Sequence, residues 1–242
     1  MVERIPTGIG ALDRLVEGGI PKAASGIIIS DRKSPGGLFG QQILWNNLQQ
    51  GLKCAYFQTR YSSEKEFVDE LSGYGWSVTP YLKSGTFLVS DYLTLAELTP
   101  DERRSNAFGR DVREVEGRLI SAAKLTRFTS QASYDFAIYD DIDLLLRRLD
   151  KQEFVDWAGT VAKFKKDHGG VALALVYRAN LPTDVLSLVE RLGTDCTIEL
   201  RTEESPDGLL HHYFRVTKMK ATQIARHGWI PYIKEREGIT AG

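Results

Sequence analysis

Short apolar runs alternate along the chain with longer stretches in which apolar residues recur every three or four positions. The runs at residues 27–29, 136–139 and 171–177 are continuous rather than alternating, which is typical of strands that are buried on both faces. The stretches around Phe67 and Phe154 have helical spacing. This alternation predicts an α/β fold in which helices cover both faces of a mostly parallel sheet.

The last fifth of the chain follows a different pattern. Residues 197–200 and 211–216 flank a turn at residues 206–208, where Pro, Asp and Gly are adjacent, and this arrangement predicts a hairpin. Residues 229–233 begin a final strand. We therefore expect antiparallel strands at the C-terminal end of the sheet.

The stretch from Ile27 to Leu48 predicts a strand, a polar loop and a helix. In nucleotide-binding α/β domains, a glycine-rich loop at this place binds phosphate through its backbone N–H groups and the N-terminus of the helix. The expected pattern is Gly, four residues, Gly, Lys, and then Ser or Thr. The residues at this place are instead Ser30, Asp31, Arg32, Lys33, Ser34, Pro35, Gly36 and Gly37.

Three of the functional positions in this loop are changed together. Pro35 replaces the second glycine and has no N–H to donate, Gly36 replaces the lysine, and Gly37 replaces the hydroxyl that would contact magnesium. Arg32 and Lys33 are nearby cations that could compensate from another direction. The loop is therefore predicted to be a degenerate nucleotide site that is too altered for hydrolysis.

Length and composition agree with one cytoplasmic domain. The 242 residues are 42% hydrophobic, which suits a single core, and the formal net charge of -1 gives no overall basic field for nucleic acid or anionic lipid. Cys54 and Cys196 each lie in an apolar run, which favours buried thiols in a reducing compartment over a disulfide. No leader or membrane-spanning run is predicted.

Metal binding is not predicted. His211 and His212 are adjacent on a predicted strand, so their side chains point to opposite faces and cannot share one metal ion. His168 and His227 lie near glycine-containing turns, and all four histidines are interpreted as ordinary surface residues rather than ligands. Tyr74, Trp76 and Tyr81 are interpreted as core aromatics rather than as a platform for nucleic-acid bases.

Two short motifs carry a resemblance to a known family. They are Thr7, Gly8, Ile9, Leu12 and Asp13, followed by Gly18, Gly19, Ile20 and Pro21. At this distance from the loop, the pair resembles the entry to the KaiC, RadA and FlaH branch of the RecA-like ATPases. The residues themselves predict that Thr7 caps a short helix and that Gly18 and Gly19 end it.

The resemblance implies a RecA-like P-loop core, a mostly parallel twisted sheet with helices on both faces and antiparallel strands at the C-terminal end. It implies one domain over residues 1–242, with a lead-in at 1–22 and a C-terminal hairpin region at 195–242. It also implies a glutamate pair after the second strand that would activate water, and Arg60 and Tyr61 stand there instead.

The resemblance also implies roles for three further residues. Asp140, the first residue after the strand at 136–139, is the candidate that would help to hold magnesium through water, although the aspartates at 140–143 could equally cap the next helix. Lys218 and Lys220 occupy the Lys-x-Arg pair that reaches a neighbouring subunit's γ-phosphate site, and they are the interface candidates. Lysine at the second position lacks the bidentate fork of arginine.

The least familiar segment is residues 94–128. Apolar residues from Val112 to Ala123 predict one helical face. Five arginines between residues 103 and 118 are balanced by five acidic residues, so we interpret them as a solvated, ion-paired face.

Three functions remain open. The first is a catalytically silent regulatory or assembly subunit that binds a protein partner, such as a competent RecA-like paralogue, in a homo- or hetero-oligomer without membrane insertion. The second is an accessory that binds single-stranded DNA, which is less favoured because the link at residues 177–184 carries only Arg178 as a cation. The third is a weak ATPase or ATP-binding switch that uses Arg32, Lys33 and Asp140 with a neighbour's Lys218 and Lys220. We favour the first and expect no cofactor, with ATP and magnesium as the alternative.

Overall fold

The computed structural model describes residues 2–58, 61, 63–91, 134–140, 142–143, 151–191 and 194–241. The predicted helix within residues 94–128, together with Arg60 and Asp141, lies outside the described residues. Among the described residues, no helix combines the length and apolar composition that a membrane crossing requires.

Strands and helices alternate through the first two thirds of the chain. In order they are β1 (Arg4–Ile5), α1 (Gly10–Leu15), β2 (Ile20–Pro21), β3 (Ser25–Ser30), α2 (Gly36–Gln49), β4 (Cys54–Gln58), α3 (Glu64–Gly73), α4 (Thr79–Ser84), β5 (Phe87–Asp91) and β6 (Phe136–Tyr139). They continue with α5 (Lys151–His168), β7 (Val171–Tyr177), α6 (Thr183–Arg191), β8 (Cys196–Glu204), β9 (Leu210–Met219), β10 (Ile230–Glu235) and β11 (Gly238–Thr240).

One nine-stranded sheet organises the fold, in the order β11-β10-β9-β8-β3-β7-β6-β4-β5. The pairs from β8 to β5 are parallel, whereas β8 with β9, β9 with β10 and β10 with β11 are antiparallel. This confirms the predicted mostly parallel sheet with antiparallel strands at its C-terminal end. Strand β3 is central, between β7 and β8, so the loop that follows β3 lies at the middle of the carboxyl edge of the sheet.

The two faces of the sheet bury separate apolar clusters. Phe39, Tyr56 and Phe67 belong to the cluster beneath α2 and α3, and Phe154 and Leu186 belong to the cluster beneath α5 and α6. The aromatic residues Tyr74, Trp76 and Tyr81 pack into or against the first cluster, which confirms their interpretation as core residues.

The lead-in is held by Asp13 rather than by a Thr7 cap. Helix α1 has Ile9 as its N-cap, so Thr7 is not the N-cap as predicted, although its hydroxyl accepts a hydrogen bond from the Ile9 N–H at 3.2 Å. The Asp13 carboxylate instead accepts from the Thr7 and Gly8 N–H groups at 2.8 and 2.9 Å and from the Thr7 hydroxyl at 2.7 Å. An aspartate inside the helix can reach back over three donors of the turn, which a single hydroxyl cannot do.

Strand β3 approaches its neighbours so closely that Gly26 has no space for a side chain. A Cβ atom there would lie 2.0 Å from Cys196 Sγ and 2.6 Å from the Cys196 carbonyl oxygen. Both Cys54 and Cys196 are buried thiols without a disulfide, as the sequence predicts. The close approach of β3 and β8 therefore requires glycine at position 26, opposite Cys196.

The first prediction concerns this contact. Gly26→Ala should lower the free energy of unfolding by about 1–3 kcal/mol, because the backbone carbonyl at Cys196 cannot rotate away as a side chain can. Gly159→Ala is the matched control, since no atom lies within 4 Å of a Cβ there and the residue is inside α5. The control should be stabilised by about 0.5–1 kcal/mol in the same urea titration. Equal stability of the two variants would contradict the packing argument.

A buried lysine lies at the amino edge of the sheet. Lys165 of α5 is 3% exposed, and its ammonium donates to the Tyr134 carbonyl at 3.0 Å. Burial lowers the pKa of Lys165 to about 8, while the nearby Asp135 carboxylate acts in the opposite direction and raises this pKa. The hydrogen bond from Lys165 to the Tyr134 carbonyl therefore joins α5 to the residues just before β6.

The second prediction is a pH dependence of stability. Because the folded pKa of Lys165 is about 8 and its ordinary value is 10.5, the unfolded chain binds more protons between these values, and this residue's contribution to stability rises with pH across that window. Lys165→Met should remove that rise. The measurement is the difference in unfolding free energy between wild type and variant from pH 7 to pH 10.5, in which titrations that do not depend on Lys165 cancel. A constant difference would refute the assignment.

Candidate functional site

The β3–α2 loop lies where a phosphate-binding loop is expected, and one of its own side chains binds its backbone donors. Asp31 Oδ1 accepts from the Lys33 N–H at 3.0 Å and from the Ser34 N–H at 2.7 Å. Asp31 Oδ2 accepts from the Thr202 N–H on β8 at 2.7 Å. A carboxylate thus takes three backbone donors, which is the kind of contact that a phosphate makes with such a loop.

One of the two cations of the loop is paired with an acid on β8. The Lys33 ammonium forms an ion pair with Glu204 at 2.5 Å, and Arg32 is exposed. The same ion pair lowers the pKa of Glu204, chiefly through the hydrogen bond from Lys33. The lysine is therefore attached to β8 rather than available above the helix N-terminus.

Gly36 is needed for packing at the start of α2. A Cβ on Gly36 would lie 2.8 Å from Ser30 Oγ and 2.9 Å from Leu175 Cδ1. Gly36 and Gly37 are both buried in the first turn of α2, and Pro35, the N-cap residue, provides no side-chain cap. Helix α2 thus begins against β3 and β7 at a distance that only glycine allows.

A hydrogen-bonded chain connects this loop to the C-terminal strands. The Ser34 and Thr202 hydroxyls are 2.8 Å apart, and Thr202 Oγ1 is 2.7 Å from His212 Nδ1. The His212 ring stacks on Tyr232 with centroids 5.4 Å apart. Burial lowers the pKa of His212, with a further decrease from Lys234 and an opposing effect of Asp31.

Sequence reasoning did not find Thr202, His212 or Tyr232 as neighbours of the loop. It interpreted His212 as a surface residue, whereas the ring is partly buried. The available signal was the alternation along residues 210–216, which places His212 and Phe214 on the same face of β9. Only the pairing of β9 with β8 brings that face to residue 34.

Asp140 lies in a buried polar network. It is 0% exposed, and its Oδ2 accepts a hydrogen bond from the Tyr56 hydroxyl on β4. Gln41 Nε2 on α2 donates to the Tyr61 hydroxyl at 2.8 Å and lies 3.4 Å from the Tyr56 hydroxyl. The carboxylate proposed to contact magnesium is thus directed at a tyrosine inside the core.

Tyr61 fills one of the two positions where the resemblance implies a glutamate. The side chain is 6% exposed and packs edge-on against Phe67, with ring centroids 5.1 Å apart. Gln58 anchors its backbone, since Gln58 Oε1 accepts from the Tyr61 N–H at 2.7 Å. A buried phenol in this position has no carboxylate with which to activate water.

Asp143 has a different environment from Asp140. Its Oδ2 accepts from the Tyr177 N–H at 3.2 Å and from Asn180 Nδ2 at 2.9 Å. It therefore holds the short 3-10 turn that follows β7. The backbone groups that a cap at residues 140–143 would bond, from residue 144 onward, lie outside the described part of the chain.

Lys218 and Lys220 lie far from the loop along the strands. Lys220 forms an ion pair with Asp195 at 3.3 Å, and Asp195 in turn accepts from the Ser25 N–H at the start of β3. Lys218 is exposed and pairs in register with Thr197. These lysines are at the amino end of β3, whereas residues 31–37 follow its carboxyl end, so one chain does not bring the two sets together.

The residues present do not fit a nucleotide with magnesium. The N–H groups of Lys33 and Ser34 are taken by Asp31, the lysine is paired with Glu204, and Asp140 is bonded to Tyr56. Among the described residues, no group of three His, Cys, Asp or Glu side chains could hold a metal ion. The site is organised around internal polar contacts.

Comparison with known proteins gives concordant results. Curated relatives include a UPF0273 protein of Thermotoga maritima, 30% identical over 129 residues, which are 52% of this chain and 53% of that protein. A UPF0273 protein of Pyrococcus furiosus is 31% identical over 39% of this chain and 38% of that protein. The chain thus matches about half, or less, of the length of these relatives.

Two solved structures share the fold. A KaiC-like protein from Pyrococcus horikoshii superposes with a TM-score of 0.73 at 16% identity, covering 100% of both chains. The flagellar accessory protein FlaH from Methanocaldococcus jannaschii superposes with a TM-score of 0.72 at 17% identity, covering 100% of this chain and 99% of that chain. These likenesses show the RecA-like architecture that the resemblance implied.

The family model for the KaiC ATPase matches residues 5–241, which is nearly the whole chain. This match agrees with the two motifs of the lead-in and with the RecA-like sheet. The protein belongs to the KaiC-type ATPase family.

Proposed function

We propose that this protein is a catalytically silent KaiC-like subunit that regulates or assembles a protein complex through protein–protein contacts. The single observation that carries the proposal is the Asp31 carboxylate, which accepts hydrogen bonds from Lys33, Ser34 and Thr202. A phosphate would have to displace this carboxylate and then lie beside its negative charge.

Two other features support the proposal. Tyr61 is buried in one of the two positions where the family resemblance implies a glutamate, and Asp140 is bonded to Tyr56 rather than open to a magnesium-bound water. Each change by itself would weaken nucleotide chemistry, and all three lie in one molecule. Hydrolysis needs the phosphate cradle, the metal contact and the base together.

The DNA-binding alternative has less support. Arg178, the only cation of the link after β7, forms an ion pair with Glu199 at 3.1 Å. A cation that is already paired releases fewer counterions from a nucleic-acid backbone. We therefore keep a protein partner as the proposal.

The third prediction is the outcome of a nucleotide titration. Calorimetry with ATP and magnesium should show no binding at micromolar nucleotide, because the loss of several charge-assisted bonds weakens affinity by orders of magnitude. Asp140→Asn is the companion variant, as it keeps the shape of the side chain while removing its charge. Micromolar binding by the wild type that this variant abolishes would reject the silent-subunit proposal in favour of the ATP switch.

The fourth prediction tests Asp31 as a structural ligand of the loop. Asp31→Ala should lower the free energy of unfolding by about 1–3 kcal/mol, because three backbone donors lose a charged acceptor. Arg32→Ala, in the exposed neighbouring position, should change it by less than about 0.5 kcal/mol. Both variants are compared by chemical denaturation without nucleotide. If Asp31→Ala is as stable as the wild type, the carboxylate does not hold the loop, and the main support for the proposal is lost.

A further inference from the structure

A groove beside the second half of α2 is lined by aromatic rings, side-chain amides and one carboxylate. Its volume is about 400 Å³, and it lies between α2, the α3–α4 link at residues 74–76 and the β10–β11 turn. We call it the α2 groove. None of its described lining residues belongs to the β3–α2 loop or to the network around Asp140, so it is separate from the altered nucleotide site.

Three aromatic side chains form the walls of the α2 groove. The Trp76 ring lies 6.4 Å from the Trp45 ring with their planes 15° apart, and 5.1 Å from the Tyr74 ring with their planes 32° apart. Trp76 is 5% exposed, whereas Trp45 and Tyr74 are half-buried. The rings therefore pack against the core on one side and give the groove roughly parallel aromatic ridges on the other.

Hydrogen bonds hold the β10–β11 turn against these rings. Trp76 Nε1 donates to the Glu237 carbonyl at 3.2 Å, and the Gln42 amide accepts from the Ile239 N–H and donates to the Ile239 carbonyl. A Cβ atom on Gly238 would lie 2.6 Å from Gln42 Oε1 and 2.8 Å from Trp76 Cζ2, so the turn lies in close contact with the groove. A site that is ordered before binding loses little conformational entropy when a ligand binds.

Three amide side chains of α2 supply hydrogen-bond donors to the groove. Each amide has two N–H donors. Gln42 uses one of them for the Ile239 carbonyl, and Asn46 Nδ2 uses one for the Thr7 carbonyl at 3.0 Å. Gln49, the third amide in the lining, is exposed. The groove therefore suits a ligand that presents carbonyl oxygens.

Glu237 gives the groove its charge. It is the one charged residue among the described residues that line the groove, and its side chain is exposed. Within the described part of the chain, no cation pairs with its carboxylate. A cationic group on the ligand would complement it. A neutral oligosaccharide could contact the same rings and amides, but it would leave this carboxylate without a cation.

We propose that the α2 groove binds a proline-rich segment of a partner protein, with an arginine of that segment beside Glu237. Aromatic-lined grooves hold the proline rings of polyproline II segments. Such a segment has no internal hydrogen bonds, so its carbonyl oxygens are available to the amide donors. Arginine forms the strongest hydrogen-bonded pairs with carboxylates. This inference rests on the proposed function, since it names the chemistry of the partner that such a subunit binds.

The fifth prediction is measured with a synthetic peptide and the full chain. The peptide is an oligoproline of about nine residues, or roughly three turns of polyproline II, with an arginine at each end so that either chain direction can reach Glu237. Calorimetry should give a dissociation constant below about 1 mM. The indole N–H signals of Trp45 and Trp76 should shift in NMR spectra of the complex. A peptide with glutamine in place of arginine should bind about threefold more weakly, because it loses an exposed ion pair.

Substitutions in the groove locate the binding. Trp45→Ala should raise the dissociation constant by about tenfold or more, as loss of an aromatic hot-spot residue does. Gln49→Arg, at an exposed position, should weaken binding of the arginine peptide by charge repulsion. Glu237→Gln should make the arginine and glutamine peptides bind equally. Glu235→Gln, an exposed carboxylate on β10 outside the groove lining, is the matched control and should keep the preference for arginine. Circular dichroism of each variant establishes that it is folded.

The proposal has clear contrary outcomes. It is overturned if the wild type does not bind the arginine peptide, if it binds the glutamine peptide equally well, or if Gln49→Arg binds as the wild type does. Maltoheptaose, a neutral oligosaccharide, is titrated in parallel, and binding of this sugar in place of the peptide would assign the groove to carbohydrate instead. Nucleotide calorimetry is independent of these outcomes, so ATP binding would reject the silent-subunit proposal and leave the peptide result unchanged.

Discussion

The backbone N–H groups of the β3–α2 loop require an acceptor, and Asp31 supplies it from within the chain. Buried or partly buried donors without a partner are costly, so a loop shaped to bind an anion must contain one in order to be stable by itself. In nucleotide-binding members of this architecture, a phosphate meets that requirement. Here the carboxylate bonds to Lys33, Ser34 and Thr202, so the loop keeps a defined shape without a ligand.

The same constraint explains why the C-terminal strands belong to the site. Thr202 contributes its N–H to Asp31 and its hydroxyl to the chain between Ser34 and His212. The loop is thereby attached to β8 and β9 at the middle of the sheet. A displacement of the loop would break its contacts with Thr202 on β8, and through Thr202 it would disturb the link to His212 on β9.

The buried polar residues around Asp140 also find their hydrogen-bond partners within the chain. Tyr56 and Asp140 are hydrogen-bonded, and Gln41 and Tyr61 join them in a buried polar group between α2, β4 and β6. A polar network of this kind is stable only when its members satisfy one another. The fold is that of the family, and the side chains of Asp31 and Asp140 are engaged in contacts within the chain.

The sequence by itself determined the α/β fold, the parallel core strands and the place of the altered loop. Continuous apolar runs such as residues 136–139 can be buried only in a covered sheet, and the lead-in motif located β3 relative to them. These properties depend on local pattern, which the sequence displays directly. Thr7 is not the N-cap because α1 begins only at Gly10; the Thr7 hydroxyl accepts from the Ile9 N–H, and the Asp13 carboxylate takes the Thr7 and Gly8 donors.

Only the tertiary structure decided what each polar residue of the site contacts. Asp31 could have faced solvent, Asp140 could have faced a metal ion, and His212 could have been a surface residue, because one-dimensional spacing does not specify which strands become neighbours. The order β9-β8-β3 brings Thr202 and His212, some 170 residues away in sequence, to the loop. The physical reason is that hydrogen-bond partners across a sheet are chosen by strand pairing and register, which depend on the packing of the whole chain.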